Sequence, residues 1–252
     1  MYIDIHAHLE DAKFANDLPD VIARAQAAGV VSIINNGTNP EHNRQTLAIA
    51  EKYPMVKAAL GLHPTDIASL SDAQIAEELI FIQSQRHNLI ALGEIGLDFH
   101  WHKESHEHDR QRKVFEQIIA LGEKLKLPLI VHTRKAEAET IEMLKSSRVR
   151  KVDLHCFSGS MRLVQEAAEQ GWSFSIPANI VFSTHFQELV KQVELNQLLT
   201  ETDCPFLGPV KGERNEPMNV VRTVKKISEI KGFDKEEVKN NIWYNYSRMF
   251  SN

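Results

Sequence analysis

Short apolar runs alternate with longer segments of helical spacing along the whole chain. The runs lie at residues 2–5, 30–34, 57–60, 89–92, 127–131, 151–154, 172–176 and 198–200. Several are apolar at nearly every position, as strands covered on both faces are. The segments between them place apolar side chains every three to four residues. In 108–126, for example, Val114, Ile118, Leu121 and Leu125 fall at helical steps. Start and stop signals agree with this reading. Asn39 stands as N-cap before 40–53, Ser71-Asp72-Ala73-Gln74 opens 71–85 in the manner of a capping box, and Gly29 ends a helix over 18–28. Further helices are expected over 136–145, 161–169, 185–194, 217–231 and 235–246.

Eight strand–helix alternations predict parallel strands joined by right-handed crossovers, which close most simply as a (β/α)8 barrel. An open doubly wound sheet is the alternative, but no Gly-rich turn follows the first run to suit a dinucleotide. A length of 252 residues, with 42% hydrophobic and 25% charged, fits one barrel domain over 1–252. No apolar run approaches the ~18 residues that a membrane span needs, and the first residues lack the basic start and apolar stretch of a secretory signal. A cytoplasmic enzyme without a membrane partner is therefore expected, and no segment points to an obligate protein partner. Cys156 and Cys204 show no regular spacing and are expected as small buried side chains.

Charge narrows the partners. With 29 bases against 34 acids the net charge is −5, so a broad basic face for displacing counterions is not expected. A polyanion would have to be held locally, by a few cations or by metal.

The candidate chemistry stands where the strands should end, which in a barrel is the catalytic face. The first run leads into Asp4-Ile5-His6-Ala7-His8, whose two histidines project to one side of an extended backbone. The third leads into Gly61-Leu62-His63-Pro64 and the fourth into Gly93-Glu94-Ile95-Gly96-Leu97-Asp98. His132 and Arg134 follow the fifth, His155 the sixth, and Glu201-Thr202-Asp203 the eighth. Any one of these has an ordinary account as a loop residue or helix cap. Together they would crowd imidazoles and carboxylates into one cleft at a high desolvation and repulsion cost, which divalent cations remove. Mixed nitrogen and carboxylate donors suit Zn, Mn, Fe, Co or Ni, with Mg where carboxylates and water dominate. So many donors exceed one tetrahedral shell, and two ions sharing a carboxylate is the economical arrangement. The segment 99–103, Phe-His-Trp-His-Lys, should overhang this cleft, where its rings could stack on a base.

These ordered blocks, with Val131-His132-Thr133-Arg134, His155-Cys156-Phe157-Ser158-Gly159, Glu201-Thr202-Asp203-Cys204-Pro205 and Arg214-Asn215-Glu216-Pro217, resemble the TatD-type deoxyribonucleases over essentially the whole chain. The resemblance implies a two-metal barrel hydrolase of phosphodiesters, acting as a 3′–5′ exonuclease on single-stranded or short DNA. It implies that His6, His8 and Asp203 bind one divalent ion, that His132 and His155 bind the second, and that Glu94 bridges both. His63 would touch the substrate phosphate, with Arg134 or Lys135 beside it. Lys135 departs from the family, which often has an acid there. Asp203 would orient the attacking water or accept its proton, and strand ends or short oligonucleotides would be the partners. Two other readings stay open: hydrolysis of an aminoacyl ester or amide by the same kind of centre, and a non-catalytic metal-binding scaffold. A phosphatase of the polymerase-and-histidinol-phosphatase type shares the His-x-His opening, but it usually needs further histidines, and the Glu-Thr-Asp-Cys-Pro block points away from it.

Overall fold

The computed structural model describes residues 1–251. Strands and helices alternate as β1 (Tyr2–Ala7), α1 (Leu18–Ala27), β2 (Val30–Asn36), α2 (Pro40–Lys52), β3 (Val56–Leu60), α3 (Asp72–Ser84), β4 (Leu89–Asp98) and α4 (Ser105–Leu125). The second half continues with β5 (Leu129–Arg134), α5 (Glu137–Lys145), β6 (Val152–His155), α6 (Met161–Glu169), β7 (Ser173–Ile176), α7 (Thr184–Gln192), β8 (Leu198–Thr200), α8 (Val220–Lys231) and α9 (Lys235–Phe250). All neighbouring strands are parallel and the sheet order follows the chain from β1 to β8. The fold is a (β/α)8 barrel, not an open sheet.

Local signals act as the sequence indicates. Asn39 accepts the His42 amide at 3.0 Å, and Ser71 and Gln74 form a reciprocal capping box. The main differences lie at strand ends. β1, β2, β4, β5 and β6 each run past the apolar stretch, so that Glu94, His132 and His155 sit inside their strands. Apolarity marks only the part of a strand under helices; its polar end still pairs with its neighbours.

The last join of the barrel is irregular. β8 meets β1 through side-chain and loop contacts: the Thr200 hydroxyl donates to Ile3 O at 2.7 Å, the Asp203 amide to His6 O at 2.8 Å and the His8 amide to Cys204 O at 2.9 Å. The seam thus draws the residues after β8 directly onto the end of β1. At the opposite end α9 covers the strand starts, with Asn245 donating to Leu195 O and Leu198 O and the Tyr246 and Ser32 hydroxyls 2.8 Å apart.

Candidate metal centre

Alternation along β1 sends His6 and His8 to the same side, and their Nε2 atoms lie 3.2 Å apart. Glu94 from β4 stands across from them. Its Oε2 is 3.3 Å from His6 Nε2 and 3.4 Å from His8 Nε2. Its other oxygen, Oε1, is 3.0 Å from both His132 Nδ1 and His155 Nε2, and 3.3 Å from His63 Nε2. Asp203 brings Oδ1 to 3.3 Å from His8 Nε2 and 3.8 Å from His6 Nε2. The fold therefore gathers His6, His8, His63, Glu94, His132, His155 and Asp203 into one group. It forms the floor of a cavity of about 850 Å3, with Arg134 and Lys135 on its wall. His6 lies beneath the floor, fully buried.

Each ring's outer nitrogen decides what its inner one can do. His8 Nδ1 donates to Asn36 O at 3.0 Å and His132 Nε2 donates to Asp98 at 3.1 Å. His155 Nδ1 faces Glu201 at 3.5 Å. With the proton drawn outward, the inner nitrogens present lone pairs. His132 Nδ1 and His155 Nε2 then confront each other at 3.4 Å with the Glu94 oxygen between. Lone pairs and a carboxylate so close require positive charge among them, so the donor set fits divalent cations. His63 differs. Its Nδ1 accepts the Thr65 amide at 3.2 Å, which leaves the proton on Nε2 and makes the atom facing the cavity a donor.

Electrostatics at the cluster favours positive charge near Glu94. Burial pushes the Glu94 carboxyl up, but His63, His155, His6 and His132 outweigh it and hold it well below its usual range. Burial opposes charge on His8, His132 and His155 too, yet their carboxylate partners raise all three. His6 goes the other way: burial and the His155 ring lower it to about 4. The three raised imidazoles mark a site whose carboxylates favour positive charge beside them.

A family model described as TatD related DNase matches residues 3–251. The chain belongs to that family. A metal-dependent hydrolase of Methanocaldococcus jannaschii is 34% identical over 251 residues, 99% of this chain and 96% of its own. The 3′-5′ ssDNA/RNA exonuclease TatD of Salmonella typhimurium is 30% identical over 242 residues, 92% of each chain. The crystal structure of a TatD homolog from Escherichia coli superposes with a TM-score of 0.91 at 28% identity, covering 100% of this chain and 98% of that one.

In this TatD-family barrel a layer of acids underlies the centre. Asp4 accepts the Thr202 amide at 2.9 Å and the Thr202 hydroxyl, which fixes the turn carrying Asp203. Burial raises the Asp4 carboxyl well above its usual range, against those hydrogen bonds. Asp153 and Glu201 both reach the Ser175 hydroxyl. One hydroxyl proton cannot serve two carboxylates, so at least one of the pair is protonated. Burial pushes both carboxyls up in keeping with that. His6, His155 and Glu201 also bring donor atoms within 4.8 Å of one another. Glu201 meets His155 from the side away from Glu94, however, and so orients that ring from behind. The Arg214-Asn215-Glu216-Pro217 block ties the same turn to α1: Asn215 donates to Thr202 O at 2.8 Å, Arg214 pairs with Asp17, and Arg24 of α1 pairs with Glu216.

Sequence reasoning gave Asp4, Glu10, Asp98, Asp153 and Glu201 no role. A signal existed for four of them. Asp4, Asp153 and Glu201 each stand two residues before a residue of the cluster, and Asp98 stands four after Glu94. Period-two alternation puts the pairs within β1, β4 and β6 on one side of their strands, while Glu201 and Asp203 follow the end of β8 and are marked by spacing alone. Glu10, 3.4 Å from His8 Nδ1, comes from a loop and carried no such mark.

Two glycines let the strands close at this level. A Cβ on Gly61 would stand 2.4 Å from Glu94 O, and one on Gly96 would stand 1.9 Å from His132 O. Asp98 does double duty, accepting the His100 and Trp101 amides at 2.8 and 3.1 Å as well as the His132 proton. Burial pushes its carboxyl up, but these partners hold it at about 2. Asp98→Asn, which offers an amide where a carboxylate received the ring proton, is expected to weaken metal binding by the protein about 10–100-fold. Metal titration of the folded variant checks this, and unchanged affinity counts against the orienting role.

Proposed function

We propose that the chain is a two-cation hydrolase of phosphodiester bonds that removes nucleotides 3′–5′ from single-stranded or short DNA. The observation that carries the reading is the placement of Glu94, whose Oε2 faces the His6 and His8 nitrogens while its Oε1 faces those of His63, His132 and His155. His6, His8 and Asp203 with one Glu94 oxygen would hold the first ion, and His132 and His155 with the other oxygen the second. Zn, Mn, Fe, Co, Ni and Mg all suit these donors. When bound, such a pair supplies Lewis acidity that activates water and offsets charge on the phosphate.

The protein's own groups do the positioning. His63 presents an Nε2 proton to a phosphate oxygen. Arg134 and Lys135, on the wall nearest His132 in sequence, add charge-assisted contacts to the same anion. Asp203 orients the attacking water and accepts its proton. The group is ionised, as a proton acceptor must be: burial raises the carboxyl, but His8, His6 and His155 outweigh it. A local cluster of this kind lets a chain of net charge −5 attract an anion without a basic face. The exonuclease name of the Salmonella relative and the DNase description of the family support the choice of ester. No helix among the described residues is long and apolar enough to cross a membrane, and we place the enzyme in the cytoplasm.

Elemental analysis of the purified protein, paired with degradation of end-labelled single-stranded DNA, tests the reading. About two ions per chain and stepwise loss of labelled 3′ ends are expected. Turnover of amide or aminoacyl ester substrates in place of DNA would overturn it. The raised imidazoles add a second expectation: ligand histidines must shed their protons, so metal binding releases protons at neutral pH and weakens as pH falls. Calorimetry in two buffers of different ionisation enthalpy measures this, and buffer-independent heats would contradict it.

A further inference from the structure

Two aromatic side chains stay largely exposed at the mouth of the cavity, on opposite sides of the barrel. Trp101, 64% exposed, follows β4, and Phe206, 48% exposed, follows β8. Strands four apart in an eight-stranded barrel lie across from one another, so the two rings flank the Glu94 cluster. Phe206 lines the cavity, and Trp101 stands beside two residues that line it, His100 and Arg134.

Neither ring is a stray surface hydrophobe. Each is fastened to a carboxylate residue of the centre. The Trp101 amide donates to Asp98 at 3.1 Å, and the Phe206 amide donates to Asp203 O at 2.8 Å. Each also carries a cation. The Arg134 guanidinium lies 5.3 Å from the Trp101 ring centre, and the Lys13 ammonium 4.8 Å from that of Phe206. The other aromatic of the 99–103 segment is not available, because Phe99 is stacked on His108 at 3.8 Å.

An exposed ring with a cation beside it is the unit from which single-strand grooves are built: bases stack on the ring, and the cation meets the backbone phosphate. We propose that Trp101 and Phe206 are two nucleobase platforms, one on each side of the phosphate held at the centre. The unpaired bases that flank the scissile bond stack on them. Paired bases cannot splay apart onto two separated rings, so the arrangement selects single strands over duplex.

This proposal rests on the phosphodiesterase reading above, and one experiment separates the two. Metal-replete wild type, Trp101→Ala, Trp101→Phe and Phe206→Ala are compared on single-stranded oligonucleotides. The strands carry either normal bases or one abasic residue, at the terminal or the penultimate position. Each alanine variant is expected to raise KM about tenfold on the normal strand with kcat within about twofold. Trp101→Phe should restore most of the loss, and each ring's effect should vanish on one of the two abasic strands. Unchanged KM in both alanine variants, or equal losses with and without the base, overturns the platforms and leaves the phosphodiesterase reading intact. An effect confined to one ring overturns the two-sided arrangement. A wild type that cleaves no oligonucleotide overturns both readings.

Discussion

Glu94→Gln is expected to lower turnover by at least ~10³, about 4 kcal/mol of barrier, in protein saturated with metal. Glutamine keeps the shape of the side chain, so the strand geometry around Gly93 and Gly96 is undisturbed. What it removes is charge, at the one residue whose two oxygens face both halves of the cluster. One of those oxygens becomes an NH2 group, which repels a cation and can only donate. The five imidazoles that now face a carboxylate would share an uncharged neighbour, so metal content is expected to fall as well. Single-turnover rates at saturating metal, together with metal stoichiometry, check the prediction. Near wild-type turnover in the loaded variant would remove Glu94 from the role assigned to it.

Asp203→Asn is expected to slow turnover by about 10²–10⁴, the span typical of losing a positioned general base. The backbone favours this test. Asp203 has a φ of 53°, in the left-handed region that Asp and Asn both tolerate, so the turn should survive the change. Its amide keeps the bond to His6 O whatever the side chain. The carboxamide oxygen still faces His8, but the group can no longer take a proton from water. If Asp203 acts as base, the loss appears in kcat even when the metal is fully restored. A loss seen only as weaker metal binding would mean that it serves as a ligand and nothing more.

Much of this was legible before the structure. Eight apolar runs marked the strands because a barrel strand is covered by helices outside and by packed side chains within. The residues after those runs were legible as a group because a barrel delivers all its strand ends to one face. The buried acids were less readable. Asp4, Asp153 and Glu201 look like ordinary polar residues inside or beside apolar strands. Only alternation relative to His6 and His155 shows that Asp4 and Asp153 stack one layer below, and Glu201, past the end of β8, has only its spacing from Asp203 to mark it. Loop geometry was hardest to read. Nothing in the string His100-Trp101-His102 says that Asp98 gathers its amides, or that Phe99 turns inward to stack on His108 while Trp101 turns out.

The irregular join between β8 and β1 has a bearing on how the enzyme matures. One half of the cluster takes His6 and His8 from the first strand and Asp203 from just beyond the last, across a seam where Thr200 bonds Ile3, 197 residues away. A chain emerging from the ribosome cannot assemble that half until almost all of it has been made. An ion caught there would act as a clasp on the finished ring, adding roughly 2.7 kcal/mol against reopening at a free concentration one hundred times its dissociation constant.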